Sequence, residues 1–179
     1  MTDFWGNAFI PIGQGYTHVA KAEDRILHSW WRGKGTKAGT VITEVPIMPR
    51  SDQHRADAIR LPNRPWQAMR YLQAAELAHP DLYADAAKVR SLVASQLVQV
   101  IEVKRNFTRD GVGQVMVARE LFADRFGPVA GRLESVRVVE KPETTSSPLL
   151  RLCNRLGIKV EAPTSPLLPL EWTEPGSTD

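Results

Sequence analysis

Charged residues in two otherwise apolar segments are the strongest candidates for chemistry in this 179-residue chain. Glu102 and Lys104 belong to the segment LVQVIEVK, residues 97–104. The two-residue period of a strand directs both of their side chains to one face. Asp57 belongs to an earlier apolar segment, ADAIRL. Because burying a charge is costly unless it is paired or bound to metal, these three residues need a partner or a function.

Asp57 and Glu102 predict a site for a divalent cation, provided that their strands are neighbours. Two carboxylates directed at one point repel each other unless a cation lies between them, and oxygen ligands favour Mg²⁺ or Mn²⁺. Such an ion polarises a phosphodiester and lowers the pKa of bound water, and a nearby lysine orients that water or stabilises developing charge. The structural alternative is a buried Glu102–Lys104 pair with an unrelated Asp57 that caps a turn, because so short a motif recurs by chance.

The elements that would carry these residues follow a mixed α/β pattern within one domain, residues 1–162. Apolar residues at helical spacing predict three helices, at 21–31, 110–124 and 147–157. β-branched and apolar stretches predict five strands, at 40–47, 55–61, 95–106, 134–141 and 158–162. Residues 62–94 have Ala and Leu at helical spacing, which predicts an insertion of two helices divided by Pro80. We expect an irregular arm at 1–20 and a flexible proline-rich tail at 163–179.

Composition excludes several classes of protein. Hydrophobic residues are 42% and charged residues 24% of the chain, which is typical of a folded domain and not of a disordered chain. The single cysteine, Cys153, excludes an intrachain disulfide and a cysteine-based zinc cluster. We expect no secretory signal in the N-terminal segment, which lacks a basic start and a long apolar core, and no apolar run approaches the ~18 residues of a membrane span. We therefore expect a cytoplasmic protein with no membrane partner.

Positive charge is concentrated in the first part of the chain. Lys and Arg number 23 against 20 Asp and Glu, a net charge of +3. Residues 1–70 contain 10 basic and 6 acidic residues, so their balance is +4 and that of the remainder is −1. Lys and Arg neutralise phosphates and release counterions, so this excess suits a nucleic-acid partner. A solvated basic face is the other explanation, and it is the commoner one for so small an excess.

The order of these segments resembles the PD-(D/E)xK nuclease superfamily, which has a restriction-endonuclease-like fold. The similarity lies in RADAIRLP (55–62), VQVIEVKRN (98–106) and GVGQVMVARELF (111–122). It implies a central mixed β-sheet flanked by helices, with an αβββαβ core and a helical insertion between the second and third core strands. It also implies that Asp57 and Glu102 hold Mg²⁺ or Mn²⁺ and that Lys104 assists the attacking water.

Further site residues follow from the same resemblance. Gln114, on the helix after the strand of Glu102, would support the site. Glu44, in the strand that looks like the first core strand of the family, would lie near the metal. In some family members a Glu on the first helix is an additional ligand, and Glu23 corresponds to it here.

The chain departs from the family pattern at two points. Asp57 and Glu102 are 45 residues apart, whereas the family more often separates them by a short hairpin. The predicted insertion at 62–94 accounts for this distance and is a candidate for substrate selection or dimerisation. Ala56 precedes Asp57 where the family is named for a proline, at a position that varies within the family.

The function implied by the resemblance is that of an Mg²⁺-dependent endonuclease that hydrolyses phosphodiester bonds in DNA, with RNA not excluded. The candidate cations for contact with the nucleic-acid backbone are Lys34, Lys37, Arg105 and Arg109. The alternative is a non-catalytic or partner-activated nucleic-acid-binding subunit of a larger defence, mobile-element or repair complex. Cutting both strands commonly needs two sites, which suits a homodimer, and a protein partner would dock on the insertion or the tail.

Tryptophans 30 and 31, on the first helix, have two interpretations. An indole pair can stack on nucleic-acid bases. More often such a pair anchors a helix to a sheet because each ring buries a large apolar area. The following loop, GKGTKAG at 33–39, lacks the residue order of a nucleotide-binding P-loop but suits contact with phosphates.

Overall fold

A mixed β-sheet with helices on both faces forms the centre of the structure. The structure, a computed structural model, describes residues 9–11, 22–47, 55–71, 86–126, 131–141, 147–164 and 166–167. The strands in these ranges are β1 (Phe9–Pro11), β2 (Thr40–Pro46), β3 (Arg55–Leu61), β4 (Gln67–Tyr71), β5 (Leu97–Lys104), β6 (Arg132–Val139) and β7 (Ile158–Glu161). The helices are α1 (Ala22–Gly33), α2 (Ala86–Val93), α3 (Arg109–Phe126) and α4 (Pro148–Arg155), with a short 3-10 helix at Gly35–Ala38.

The described strands form one sheet in the order β1-β4-β2-β3-β5-β6-β7. Strands β1 and β4, β2 and β3, and β3 and β5 pair antiparallel. Strands β2 and β4, β5 and β6, and β6 and β7 pair parallel. The predicted α/β class, with a central mixed sheet flanked by helices, is therefore confirmed.

Helix α1 covers one face of the sheet. Residues Ile26, Leu27, Trp30 and Trp31 form its apolar stripe, because residues four apart on a helix lie on the same side. All four pack in one buried cluster with residues of β2, β3, β5 and β6. The two tryptophans are 2% and 4% exposed, so both anchor the helix to the sheet.

Helices α2 and α3 cover the opposite face. Phe122 of α3 packs in a second buried cluster with Val98 and Val100 of β5. The neighbouring β5 residues Ile101 and Val103 belong to the cluster beneath α1. Strand β5 is thus buried on both faces, as its nearly continuous apolar sequence predicts.

Residues 67–71 form a strand, which contradicts the predicted pair of helices over 62–94. The backbone N–H of Arg64 donates to the carbonyl of Leu61 at 3.1 Å and turns the chain after β3. Strand β4 then pairs with β2 on one side and β1 on the other. The helical prediction is wrong here because pairing with the edge of β2 outweighs the local propensity for helix. Helix α2 confirms a helix at the end of this segment, whereas residues 72–85, with Pro80, lie outside the described residues.

The structure describes part of the N-terminal arm and part of the C-terminal tail. Residues 9–11, within the arm predicted to be irregular, form strand β1. Most of the predicted tail, from residue 168 onwards, lies outside the described residues.

Candidate active site where β3 separates from β5

Asp57 lies at the point where the backbone pairing of β3 with β5 ends. The last described pairs of this ladder include Ala58 with Ile101. Beyond them, the carboxylate of Asp57 accepts a hydrogen bond from the backbone N–H of Val103 at 2.7 Å. We call this end of the β3–β5 pairing the fork. The antiparallel register places Asp57 of β3 opposite Glu102 of β5 there. The two acids that are 45 residues apart in sequence are therefore neighbours in the fold.

Lys104 joins the carboxylates at this fork. Its Nζ atom lies 3.0 Å from Oε1 of Glu102 and 3.8 Å from Oδ2 of Asp57. It also lies 3.5 Å from Oε1 of Glu23, at the start of α1. The Glu102 side chain is 8% exposed and that of Lys104 is 31% exposed, so solvent screens this cluster only in part. Three acids that the sequence singled out thus surround the lysine of the E-x-K segment.

Three carboxylates share this lysine, and Glu102 is the most deeply buried of them. Burial, and then the charge of Glu102, raise the pKa of Asp57 from its ordinary 3.8 to about 7, against the hydrogen bond from Val103 and the charge of Lys104. Burial lowers the pKa of Lys104, but the surrounding carboxylates, Asp57 first, raise it above its ordinary value. Lys104 is consequently an ammonium donor at neutral pH and not a base.

Glu44 extends the acidic surface to β2. It lies opposite Asp57, between two paired positions of the β2–β3 ladder. Its backbone has φ +58°, in the left-handed region that residues other than glycine rarely adopt. Its carboxylate lies 3.5 Å from Nη1 of Arg55. A small cavity of about 60 Å³ at this point is lined by Glu23, Asp24, Leu27, Glu44, Asp57 and Val103.

Gln114 lies on α3 with an exposed side chain. The buried residues of the same helix turn are Gly111, Val112 and Val115. The described residues that line the cavity do not include Gln114. Its supporting role therefore stays a prediction.

Arg137 is a buried cation beside the site that the sequence analysis did not select. It is fully buried on β6, directly opposite Glu102 in the β5–β6 register. Its Nη2 donates to the carbonyl of Asn106 at 3.3 Å, whereas Nε and Nη1 have no hydrogen-bond partner among the described residues. A Cβ added to Gly111 on α3 would lie 1.9 Å from this guanidinium.

A sequence signal for Arg137 was nonetheless present. The residue stands between valines in the segment SVRVV, as Glu102 stands between Ile101 and Val103. A lone charge in an apolar strand next to the E-x-K strand predicts a partner of opposite charge on that strand. Burial lowers the pKa of the Arg137 guanidinium, and the charges of Glu102 and Asp57 oppose that shift.

The predicted nucleic-acid-binding cations differ in their surroundings. Lys34 forms an ion pair with Glu161, and its Nζ lies 4.8 Å from the ring centre of Trp30. Arg105 is 68% exposed and lies 3.3 Å from the carboxylate of Glu140. The side chains of Lys37 and Arg109 are exposed. The structure thus leaves three of the four accessible, and Lys34 is the one that is partly buried.

The donor set at the fork fits a hard divalent cation. Within the described ranges, no three His, Cys, Asp or Glu side chains already converge as a complete set of metal ligands. Mg²⁺ does not require such a cage, because it retains several waters and is commonly held by one or two carboxylates. Asp57 and Glu102 are such a pair. Burial first, and then the charge of Glu102, raise the pKa of Asp57, and an added cation would offset the second of these effects.

Comparisons with known proteins identify no relative of this chain. No protein-family model matches it, and no curated protein or solved structure is significantly similar to it. Among the helices that the structure describes, none is long and apolar enough to cross a membrane.

Proposed function

We propose that the protein is an Mg²⁺-dependent nuclease of the PD-(D/E)xK type that hydrolyses phosphodiester bonds in DNA. One observation carries the proposal: Asp57, Glu102 and Lys104 meet at the fork between β3 and β5, although the two acids are 45 residues apart. A structural ion pair needs a single acid for a single lysine. Here Lys104 lies within 4 Å of three carboxylates, which is more than a single ion pair needs.

Asp57 and Glu102 are the residues that would hold the cation. Both carboxylates are fixed before a cation binds, Asp57 by the N–H of Val103 and Glu102 by Lys104. When bound, the ion would polarise the scissile phosphate and lower the pKa of a water molecule. The further acids that line the adjoining cavity are Glu23, Asp24 and Glu44.

Lys104 would orient the attacking water and stabilise the charge that develops on the phosphate. Its ammonium is held within the carboxylate cluster, and its raised pKa keeps it protonated at neutral pH. A fixed, partly buried donor stabilises developing charge better than a solvated one, because it needs no reorganisation during the reaction. A protonated lysine cannot remove the proton from water, so that proton leaves to solvent or to a phosphate oxygen.

The test is cleavage of plasmid, linear, branched and single-stranded DNA in Mg²⁺, Mn²⁺ or EDTA. We expect metal-dependent cleavage by the native chain, and a loss of about 100-fold or more in Lys104→Ala. The matched control is Lys141→Ala, which removes an exposed lysine. Equal cleavage by Lys104→Ala and the native chain would contradict the proposal.

Metal binding gives an independent readout of the same site. Calorimetric titration with Mn²⁺ should show binding to the native chain and to Lys104→Ala, and loss of binding in Glu102→Gln. Glu120→Gln, on the exposed surface of α3 with a side chain 71% exposed, is the control. Metal binding without cleavage of any substrate would favour the alternative of a partner-activated subunit. Nucleic-acid binding without metal binding or cleavage would favour a non-catalytic one.

A further inference from the structure

Trp66 is an exposed indole held against a buried one. Its side chain is 48% exposed, although tryptophan is normally among the more buried residues. Its ring stacks on that of Trp31, with 4.9 Å between the ring centres and 9° between the planes. Trp31 itself is 4% exposed and belongs to the core beneath α1. Because Trp31 covers one face of the Trp66 ring, the exposed area lies on its other face and its edges.

The chain on both sides of Trp66 is fixed to the start of β2. The backbone N–H of Gln67 donates to the carbonyl of Gly39 at 3.4 Å. The hydroxyl of Thr40 donates to the carbonyl of Pro65 at 2.8 Å. Nε1 of Trp31 donates to the same Gly39 carbonyl at 3.0 Å, so the Trp31 ring and the backbone next to Trp66 bond to one carbonyl oxygen. A ring held in this way loses little conformational entropy when a flat ligand stacks on it.

Gly39 is required for this arrangement. Its φ is +69°, and a Cβ at this position would lie 2.2 Å from the carbonyl oxygen of Leu61. Glycine is the residue that tolerates both the left-handed backbone and the close approach. The strand pair β2–β3 and the Trp66 segment therefore come together at a position that only glycine can occupy.

The short 3-10 helix that carries Lys37 ends next to Gly39. It spans Gly35–Ala38, and the side chain of Lys37 is exposed. The guanidinium of Arg60, which is 8% exposed, stabilises this helix by donating hydrogen bonds to the backbone carbonyls of Lys37 and Ala38. Trp66 and Lys37 thus lie on two rigid segments that meet at Gly39.

We propose that Trp66 is a stacking platform for an unpaired base of single-stranded nucleic acid and that Lys37 contacts its phosphates. The inference rests on the proposed function, because it names the form of nucleic acid that the nuclease would bind. A flat aromatic face with a nearby cation is the combination that binds single strands without regard to sequence. The +4 balance of residues 1–70, which include both residues, suits a polyanionic partner.

The platform is a few nucleotides away from the carboxylate cluster. Helix α1 carries Trp31 beneath the platform and Glu23 beside Lys104, eight residues earlier. Eight residues of helix span roughly 12 Å. At the ~3.4 Å rise per nucleotide of a base-stacked strand, as in B-DNA, this corresponds to about three or four nucleotides. A strand stacked on Trp66 is thus close enough to be cut at the fork without Trp66 touching the reacting phosphate.

The experiment measures binding in EDTA, where cleavage cannot occur. The probe is a fluorescently labelled oligothymidylate of about 12 nucleotides, compared with a duplex of equal length. We expect Trp66→Ala to bind the single strand about tenfold more weakly, Trp66→Phe to fall between it and the native chain, and Lys37→Ala to lose affinity with a smaller dependence on salt. Met116→Ala, which removes an exposed apolar side chain from α3, is the matched control and should bind normally.

Each outcome bears on the platform separately from the nuclease. Equal single-strand binding by Trp66→Ala and the native chain would overturn the platform, as would no single-strand binding by the native chain. Cleavage with an unchanged KM in Trp66→Ala would leave the nuclease standing and remove the platform. Binding that depends on Trp66, together with no cleavage in any metal, would support the platform and contradict the nuclease. Thermal melts of Trp66→Ala and Trp66→Phe check that both variants fold.

Discussion

The carboxylate of Asp57 takes the hydrogen bond that β3 would otherwise accept with its backbone opposite Val103. Its Oδ2 atom lies 2.7 Å from that N–H, just beyond the pair of Ala58 with Ile101. A short acidic side chain can thus end the ladder without leaving the buried N–H unsatisfied. The backbone pairing of β3 with β5 stops there, and the ammonium of Lys104 on β5 lies within 4 Å of the carboxylates of Asp57 and Glu102. Asp57 is consequently both the structural end of the ladder and the central acid of the site.

The pH dependence of stability should report the ionisation of Asp57 in the metal-free protein. Its pKa is about 7 in the folded chain against an ordinary 3.8, so the folded state binds more protons between these values. Stability should therefore fall as the pH rises from about 4 through 7. Asp57→Asn cannot ionise, and its amide oxygen can still accept from Val103. Urea unfolding in EDTA should show the variant gaining on the native chain as the pH rises.

Glu120→Gln provides the control for that pH series, because its carboxylate is 71% exposed on α3. Its stability should parallel that of the native chain across the range. A constant difference between Asp57→Asn and the native chain from about pH 4 to 8 would show that Asp57 ionises normally.

Two glycines on α3 should respond oppositely to alanine. A Cβ at Gly111 would overlap the guanidinium of Arg137, whose side chain is fully buried, so either this side chain or α3 must shift. We expect Gly111→Ala to lower the free energy of unfolding by about 1–3 kcal/mol. Gly113 faces open space, and Gly113→Ala should raise it by up to about 1 kcal/mol. Chemical denaturation of both variants tests the pair, and equal effects would contradict the packing of Arg137 beneath the helix.

Glu44 should show the energetic cost of its left-handed backbone. Its φ of +58° suits glycine and costs other residues about 1–2 kcal/mol. Glu44→Gly should therefore be more stable than Glu44→Ala by about 1 kcal/mol, although glycine ordinarily weakens a strand relative to alanine. The comparison of the two variants removes the effect of the lost carboxylate. Greater stability of the alanine variant would mean that residue 44 adopts ordinary strand geometry.

Glu134 should show a pH dependence of the opposite sign to that of Asp57. Burial raises the pKa of Glu134, but hydrogen bonds from Lys159 at 2.6 Å and Gln99 at 2.8 Å, with the charge of Lys159, bring it below the ordinary 4.5. A lowered pKa stabilises the fold above pH ~4.5, and this contribution is lost as the pH falls through the folded value. Glu134→Gln should destabilise by about 1–3 kcal/mol at neutral pH. This loss of stability should be smaller in acid, where Glu134 is protonated. Thermal melts of the variant and the native chain at neutral and acidic pH measure it, and an equal loss at both would contradict the prediction.

Local patterns predicted the elements that bury one or two regular faces. The stripe of α1 and the apolar run of β5 each carry enough local information, because their periods of about four and two residues match helix and strand. The segment 67–71 carries no such information. Its strand exists because the edge of β2 is available to pair with it, and that partner lies more than 20 residues earlier in the chain.

The sequence by itself determined that Asp57, Glu102 and Lys104 are charges in apolar strands, since that is a property of neighbouring residue types. Only the tertiary structure decided that they meet, because their proximity depends on the register of β3 with β5 after a long excursion of the chain. The same holds for Arg137 beneath Gly111 and for Trp66 on Trp31, whose partners belong to distant elements. Composition and spacing specify what each side chain can do, and long-range pairing specifies which others it acts with.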